Sequence, residues 1–196
     1  MKAGAALSHW SWLSSPHHGE THLCISLPFV LSFIANIARK RPELNGDKTK
    51  VCGRDPEGAE WRADVLVTTP EGERTAFEIQ LSSQHLRDFR LRTDRYRRSS
   101  VACCWIVVNQ PVERRLLKAL WNENIDYNRT HGESQSDAED LVLLGVQLAD
   151  KDVYPNELPT LRFGRDVEMR HLSIPEALDG VLRGLPQLRG PRWHWG

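Results

Sequence analysis

Apolar and polar residues alternate along two short runs near the middle of the chain, at about 60–68 and 74–81. Between them stands Thr69-Pro70-Glu71-Gly72, a combination of residues that is common in tight turns. Alternation with a period of two is typical of strands that bury one face. The pattern therefore predicts a β-hairpin made of these two strands.

A helical period follows the hairpin. Apolar positions spaced by three, four and three residues trace one face of a helix, and these positions are Leu86, Phe89, Thr93 and Tyr96. Ser82 or Ser83 is well suited to cap such a helix at its start. We expect the helix to run from one of these serines to about residue 98.

Several further elements are predicted from continuous apolar runs. Residues 101–108 and 141–148 have the composition of central buried strands, and Pro111 opens a helix to about residue 122. The segment 128–139 is polar and is expected to be an exposed loop. Additional predictions are a helix over 23–41 with a kink at Pro28, a turn at 45–47, a short strand at 50–52 and a helix over 173–182.

This order of elements predicts an α/β fold, with a mixed sheet and helices on each side. We divide the chain into an N-terminal tail at 1–16, a core at 17–125 and a C-terminal extension at 126–196 that packs on the core. The tail of the extension carries Trp193 and Trp195. These indoles either pack on the domain, which is the favoured interpretation, or stack on nucleic-acid bases.

Composition limits the classes of function. The 196 residues are 40% apolar and 27% charged with a net charge of zero, which describes an ordinary globular protein without a global attraction to nucleic acid. The most apolar run, 23–38, is shorter than the roughly 20 residues needed to span a bilayer, so no membrane contact is expected. Four cysteines without CxxC spacing predict reduced thiols and a cytoplasmic location.

Each strand of the hairpin carries one carboxylate inside an apolar run. A turn near 70–73 would bring Asp64 opposite Glu78, with Gln80 on the Glu78 face. Two acids among apolar side chains cost free energy unless a divalent cation compensates them. Mg²⁺ takes oxygen ligands, so the Ile79 backbone carbonyl is the natural third donor, and Gln80 could orient an attacking water. Paired surface acids would give the same spacing.

Four stretches of the sequence, in this order, resemble the CoiA-like competence protein family. They are Trp61-Arg62-Ala63-Asp64-Val65, Ala76-Phe77-Glu78-Ile79-Gln80-Leu81-Ser82-Ser83, Arg92-Thr93-x-x-Tyr96 and Cys104-Trp105-Ile106. The similarity covers about 19–108 and extends weakly over 174–193. The family is a branch of the PD-(D/E)XK nuclease superfamily in which glutamine takes the lysine position.

The resemblance implies a restriction-endonuclease-like core and assigns roles to individual residues. Asp64 and Glu78 would be metal ligands, Gln80 the equivalent of the lysine, and Glu20 an acidic residue that the first helix directs at the site. The sequence around Glu20 departs from the more common Glu-x-x-His pattern. Family members are associated with DNA processing and recombination during natural transformation, so DNA is the expected partner.

The predicted helix after Gln80 carries a local charge of +4. Asp88 and Asp94 stand against six arginines, namely Arg87, Arg90, Arg92, Arg95, Arg97 and Arg98. Such a stripe beside a phosphate-cleaving site fits salt-dependent binding of a DNA backbone. Arg92 and Tyr96 also match the family pattern. The alternative is a solvated helix face without a ligand.

Two functions remain in view, with a third more remote. The first is a Mg²⁺-dependent deoxyribonuclease, with Mn²⁺ as substitute metal, acting in DNA processing or recombination. The second is a DNA-binding recombination accessory protein with a degenerate nuclease site, since glutamine replaces lysine. The third is a purely structural or interaction module without affinity for DNA.

Overall fold

The structure is a computed structural model and describes residues 45–133, 141–148, 153–154, 156–165 and 169–196. Side chains are described from residue 50 onward. Glu20 and the predicted helix over 23–41 lie outside the described residues. No helix within these ranges is long and apolar enough to cross a membrane.

A seven-stranded mixed sheet forms the centre of the molecule, with its strands side by side in chain order. β3 pairs with β4, and β4 with β5, in parallel, and the other neighbours are antiparallel. The strands are β1 Asn45–Arg54, β2 Glu60–Thr68, β3 Arg74–Gln80, β4 Ala102–Val107, β5 Val142–Gln147, β6 Thr160–Phe163 and β7 Arg170–Ser173. The predicted mixed α/β architecture is confirmed, and β5–β7 continue the sheet begun by β1–β4.

Helices connect the parallel strands, because a parallel pair needs a long crossover. α1, Leu86–Arg98, joins β3 to β4, and α2, Gln110–His131, joins β4 to β5. Both helices pack on one face of the sheet, where Phe89, Leu116 and Trp105 share one apolar cluster. We call this face the helix side of the sheet.

The opposite face packs against the C-terminal part of the chain. α3, Ile174–Leu182, contributes Ala177 and Leu178 to the apolar cluster on this face. β8, Pro186–Arg189, and β9, Arg192–Trp195, form a separate hairpin. The Trp193 and Trp195 rings lie 6.4 and 5.0 Å from the Phe163 ring. The packing interpretation of these tryptophans is therefore confirmed.

The predicted hairpin, the central strands and the short C-terminal helix are confirmed, but two boundaries of helices were wrong. α1 begins at Leu86 and not at the serines, since the Asp88 carboxylate accepts the His85 N–H at 3.3 Å. α2 continues to His131, through the first part of the predicted loop. It ends where Gly132, at φ 75°, donates its N–H to the Asn128 carbonyl at 2.8 Å.

The first strand was also predicted too short. β1 already begins at Asn45, inside the segment that was expected to be a turn. Its pairing with β2 shifts register between Asn45 and Lys48, and Lys50 adopts a φ of 57°. A bulged edge strand interrupts simple alternation, which explains why the sequence pattern shows only its last part.

Candidate metal and nucleic-acid site

Asp64 lies at the point where backbone pairing between β2 and β3 ends. The ladder runs from Thr68 opposite Arg74 to Val65 opposite Phe77, and the next step of this register places Asp64 opposite Glu78. There, the Asp64 Oδ2 accepts the Ile79 backbone N–H at 2.9 Å. The Asp64 side chain therefore accepts the hydrogen bond that a backbone carbonyl of β2 would accept in a regular ladder.

The side of the sheet on which the buried side chains of β2 pack also changes at Asp64. Trp61 and Ala63 pack on the helix side, whereas Val65 and Val67 pack in the opposite cluster. Asp64 itself is half-buried. The sequence pattern predicts Asp64 on one regular sheet face, but the structure places it where the alternation changes phase, with its carboxylate hydrogen-bonded to the backbone of β3.

Glu78 is 2% exposed and lies under α1. Its Oε2 accepts from the Arg92 Nη2 at 2.5 Å, and its Oε1 accepts from the Tyr96 hydroxyl. Arg92 and Tyr96 are one helical turn apart and reach the same carboxylate. Both oxygens of Glu78 therefore have charged or hydroxyl donors from α1.

The Gln80 side chain is buried and held from both ends. Its amide nitrogen donates to the Ser82 carbonyl at 2.8 Å and to the Ser82 hydroxyl at 3.1 Å. Its carbonyl oxygen accepts from the Arg92 Nη1 at 3.5 Å. One guanidinium thus joins Glu78 to Gln80, and Ser82 fixes Gln80 instead of capping α1.

Aromatic rings support this network. The Arg92 Cζ lies 4.4 Å from the centroid of the Trp105 ring, whose Nε1 donates to the Thr93 hydroxyl at 2.9 Å. On the other side, the rings of Trp61 and Tyr96 are 5.2 Å apart. Residues from all four stretches that carry the family resemblance therefore meet in one cluster on the helix side.

Burial dominates the electrostatics of the site. The pKa of Glu78 is raised to about 7, mainly by desolvation and in smaller part by the charge of Asp64, while hydrogen bonds and charge from Tyr96 and Arg92 act in the opposite direction. The pKa of Tyr96 lies above its ordinary value because of burial and the adjacent Glu78. The two carboxylates thus interact electrostatically.

The arginines of α1 do not form one uniform stripe. Arg92 faces the site, Arg90 pairs with Glu123 on α2, and both Arg97 and Arg98 pair with Asp94. Arg98 also binds the buried Asp55 at 2.8 Å. Burial raises the pKa of Asp55, but hydrogen bonds from Ala59 and Arg98 outweigh this effect and hold it below the ordinary value.

Arg87 and Arg95 have no acidic partner among the described residues, and both are exposed. They lie four residues on either side of Leu91, on the face of α1 opposite the buried Phe89 and Thr93. The unpaired positive charge of this helix is therefore directed outward, and Arg92 is the arginine that reaches the Glu78 carboxylate.

Arg115 is a residue of the site that the sequence did not predict. The Nη2 of this α2 residue donates to the Ser83 hydroxyl at 2.5 Å, in the loop that follows Gln80. The two residues are 32 positions apart, and only the packing of α2 beside this loop brings them together. Arg115 adds an exposed cation near the end of β3.

The oxygen donors of the site suit a hard cation such as Mg²⁺. The backbone carbonyl of Gln80 accepts the Val108 N–H on the β4 side of the strand. Because successive backbone carbonyls of a strand point in opposite directions, the Ile79 backbone carbonyl faces the β2 side, where Asp64 lies. Within the described ranges no group of three or more His, Cys, Asp or Glu side chains could hold a metal. Among the residues that the structure describes, Asp64, Glu78 and this carbonyl could serve as ligands, and Glu78 already pairs with Arg92.

These features define a nuclease-like α/β domain with a mixed sheet and an acidic hairpin. The family model for "Competence protein CoiA, nuclease-like domain" matches residues 57–148, which include β2–β5, α1 and α2. This part of the chain is therefore similar to the CoiA nuclease-like domain. Comparisons with curated proteins and with solved structures gave no match.

Proposed function

We propose that this protein is a metal-dependent deoxyribonuclease of the CoiA type that acts in DNA processing or recombination in the cytoplasm. The observation that carries the proposal is the position of Asp64 and Glu78 at the end of the β2–β3 ladder, with Gln80 beside them. The free thiols of Cys52, Cys103 and Cys104 are compatible with a reducing compartment.

In this proposal Asp64, Glu78 and the Ile79 carbonyl hold Mg²⁺, or Mn²⁺ in its place. When bound, the ion would supply an activated water and neutralise charge on the phosphate. The Ile79 N–H orients Asp64, and Ser82 with Arg92 orients the Gln80 amide toward the site. Gln80 is too weak a base to accept the proton, so its role is orientation.

The DNA backbone would contact cations around the site. Arg87 and Arg95 on α1 and Arg115 on α2 are exposed and suited to phosphate contacts without sequence preference. Arg90 and Arg92 already have acidic partners, Glu123 and Glu78, so a contact to phosphate would require exchange of partners. Tyr96 is buried and acts through Glu78.

Cleavage assays test the proposal. The intact protein is incubated with single- and double-stranded DNA in Mg²⁺, Mn²⁺ or EDTA. Asp64→Asn and Glu78→Gln keep side-chain size but remove a ligand charge, so each is expected to abolish metal-dependent cleavage. Asp126→Asn, on the exposed surface of α2, is the matched control and should cleave normally. Cleavage that persists in both site variants would overturn the assignment.

A second candidate is a DNA-binding accessory protein with an inert site. It is favoured by one observation, that Arg92 and Tyr96 already engage both oxygens of Glu78. Fluorescence anisotropy at several salt concentrations tests it. This function requires salt-sensitive DNA binding that is unchanged in Asp64→Asn, together with no turnover in any metal.

A further inference from the structure

Arg92 contacts three parts of the site simultaneously. Its guanidinium pairs with Glu78, donates to Gln80 and stacks on the Trp105 ring at 4.4 Å. The indole is itself fixed by a hydrogen bond to Thr93. A planar guanidinium suits this combination of a forked hydrogen bond and a stacked face, which an ammonium group cannot reproduce.

The two partners of Glu78 differ in their access to solvent. Tyr96 is 2% exposed and lies beneath the helix, whereas the Arg92 side chain is 34% exposed. A ligand that approaches Glu78 from solvent therefore meets Arg92 first. A cation at Glu78 would have to replace the Arg92 hydrogen bond, because the second carboxylate oxygen is engaged by the buried tyrosine.

We propose that Arg92 is a positioning residue that competes with a divalent cation for Glu78, and that a nucleic-acid phosphate relieves this competition. The inference rests on the proposed metal site. Without a substrate, the guanidinium compensates the buried carboxylate and keeps the ion out. A phosphate binds arginine through the same paired hydrogen bonds that a carboxylate accepts, so it can replace Glu78 as the partner of Arg92.

This exchange links the two ligands. If phosphate binding withdraws Arg92 from Glu78, it must raise the affinity of Glu78 for the ion, and the ion must raise the affinity for phosphate by the same factor. The stacking of the guanidinium on Trp105 does not depend on the carboxylate, so it can hold the arginine near the site when Glu78 is no longer its partner.

Mn²⁺ binding, measured by electron paramagnetic resonance on the full chain, tests this inference without requiring activity. Arg92→Met should bind Mn²⁺ at least about tenfold more tightly than the wild type, a change of about 1.4 kcal/mol. A phosphorothioate oligonucleotide should produce a similar increase in the wild type. Arg129→Met, which removes an exposed arginine of α2 outside the site, is the control and should bind Mn²⁺ like the wild type.

Two further variants keep the test decisive. Arg92→Lys retains the charge but loses the fork, so an intermediate Mn²⁺ affinity is expected even if Arg92→Met folds poorly. In Arg92→Met, adding Glu78→Gln should remove the gain. Equal or weaker Mn²⁺ binding in both Arg92 variants would overturn the competition.

The inference and the proposed function can fail separately. If the wild type never cleaves DNA but loss of Arg92 tightens Mn²⁺ binding through Glu78, the competition holds and the nuclease assignment fails. If the wild type cleaves DNA and Mn²⁺ binding is indifferent to Arg92, the competition alone is overturned.

Discussion

Glu113 and Glu78 are buried carboxylates on the helix side of the sheet, each paired with an arginine, and the two pairs differ in what surrounds them. Glu113 of α2 and Arg162 of β6 are 3% and 5% exposed. Arg162 also donates to Gln147 at 2.5 Å, and Gly145 lies against the Glu113 carboxylate. In the Glu78–Arg92 pair, by contrast, the arginine is 34% exposed.

The difference separates a structural pair from one that can exchange partners. Glu113 and Arg162 are enclosed, so neither can leave without an uncompensated buried charge. They tie α2, inside the family-matched segment, to β6 beyond it. Arg92 has solvent on its outer side and can accept another anion. A carboxylate–arginine pair thus stabilises the fold at Glu113–Arg162, whereas at Glu78–Arg92 it leaves an arginine that can bind another anion.

The largest expected effect follows from removing the arginine of the enclosed Glu113–Arg162 pair. Arg162→Met leaves Glu113 buried without a counter-ion and should lower the free energy of unfolding by about 3–5 kcal/mol. Urea denaturation monitored by circular dichroism measures this loss. The double variant Glu113→Gln/Arg162→Met removes both charges and should recover part of it. A single variant as stable as the wild type would show that the pair is not enclosed.

The next largest expected effect is a pH dependence of the free energy of unfolding at the Glu78–Arg92 pair. The folded-state pKa of Glu78, about 7, lies above its ordinary value of 4.5, so stability from this group is greatest below pH 4.5 and falls as pH rises toward 7. The total is about 3 kcal/mol. Glu78→Gln does not titrate, so its stability relative to the wild type should rise over this interval. Denaturation at a series of pH values measures the difference, and a constant difference would contradict the raised pKa.

A smaller effect is expected from filling the space beside Glu113. A Cβ added at Gly145 would lie 2.0 Å from the Glu113 carboxylate carbon, so Gly145→Ala must displace the acid from Arg162. Overpacking of this kind costs about 1–3 kcal/mol. Thermal unfolding measures it. The DNA-binding affinity serves as the control readout and should not change, since Gly145 does not contact Glu78 or Arg92 in the described network.

The sequence predicted the hairpin well because its signals are local. Alternation and a turn fix the register of β2 on β3, and with it the approach of Asp64 to Glu78. The partners of the arginines are not local. Glu123 is 33 positions from Arg90 and Asp55 is 43 from Arg98, so six arginines were read as one stripe although most are paired.

The enclosed pair could not be anticipated for the same reason. Glu113 stands in the first turn of α2, where an acid is expected simply because it favours the helix dipole. Its partner is 49 residues away on β6. Only the packing of α2 over Gly145 turns an ordinary helix-start glutamate into a buried ion, and no pattern in the sequence records that packing.

A third pair, Arg90–Glu123 between α1 and α2, is expected to contribute the least of these pairs to the free energy of unfolding. Its side chains are 20% and 50% exposed, so water screens both charges. Glu123→Gln should therefore change the free energy of unfolding by no more than about 1 kcal/mol. Urea denaturation at low and high salt measures it, and the effect should shrink as salt increases. A loss as large as that of Arg162→Met would mean that exposure of the paired side chains does not distinguish these pairs, and the contrast between the Glu78–Arg92 and Glu113–Arg162 pairs would lose its physical basis.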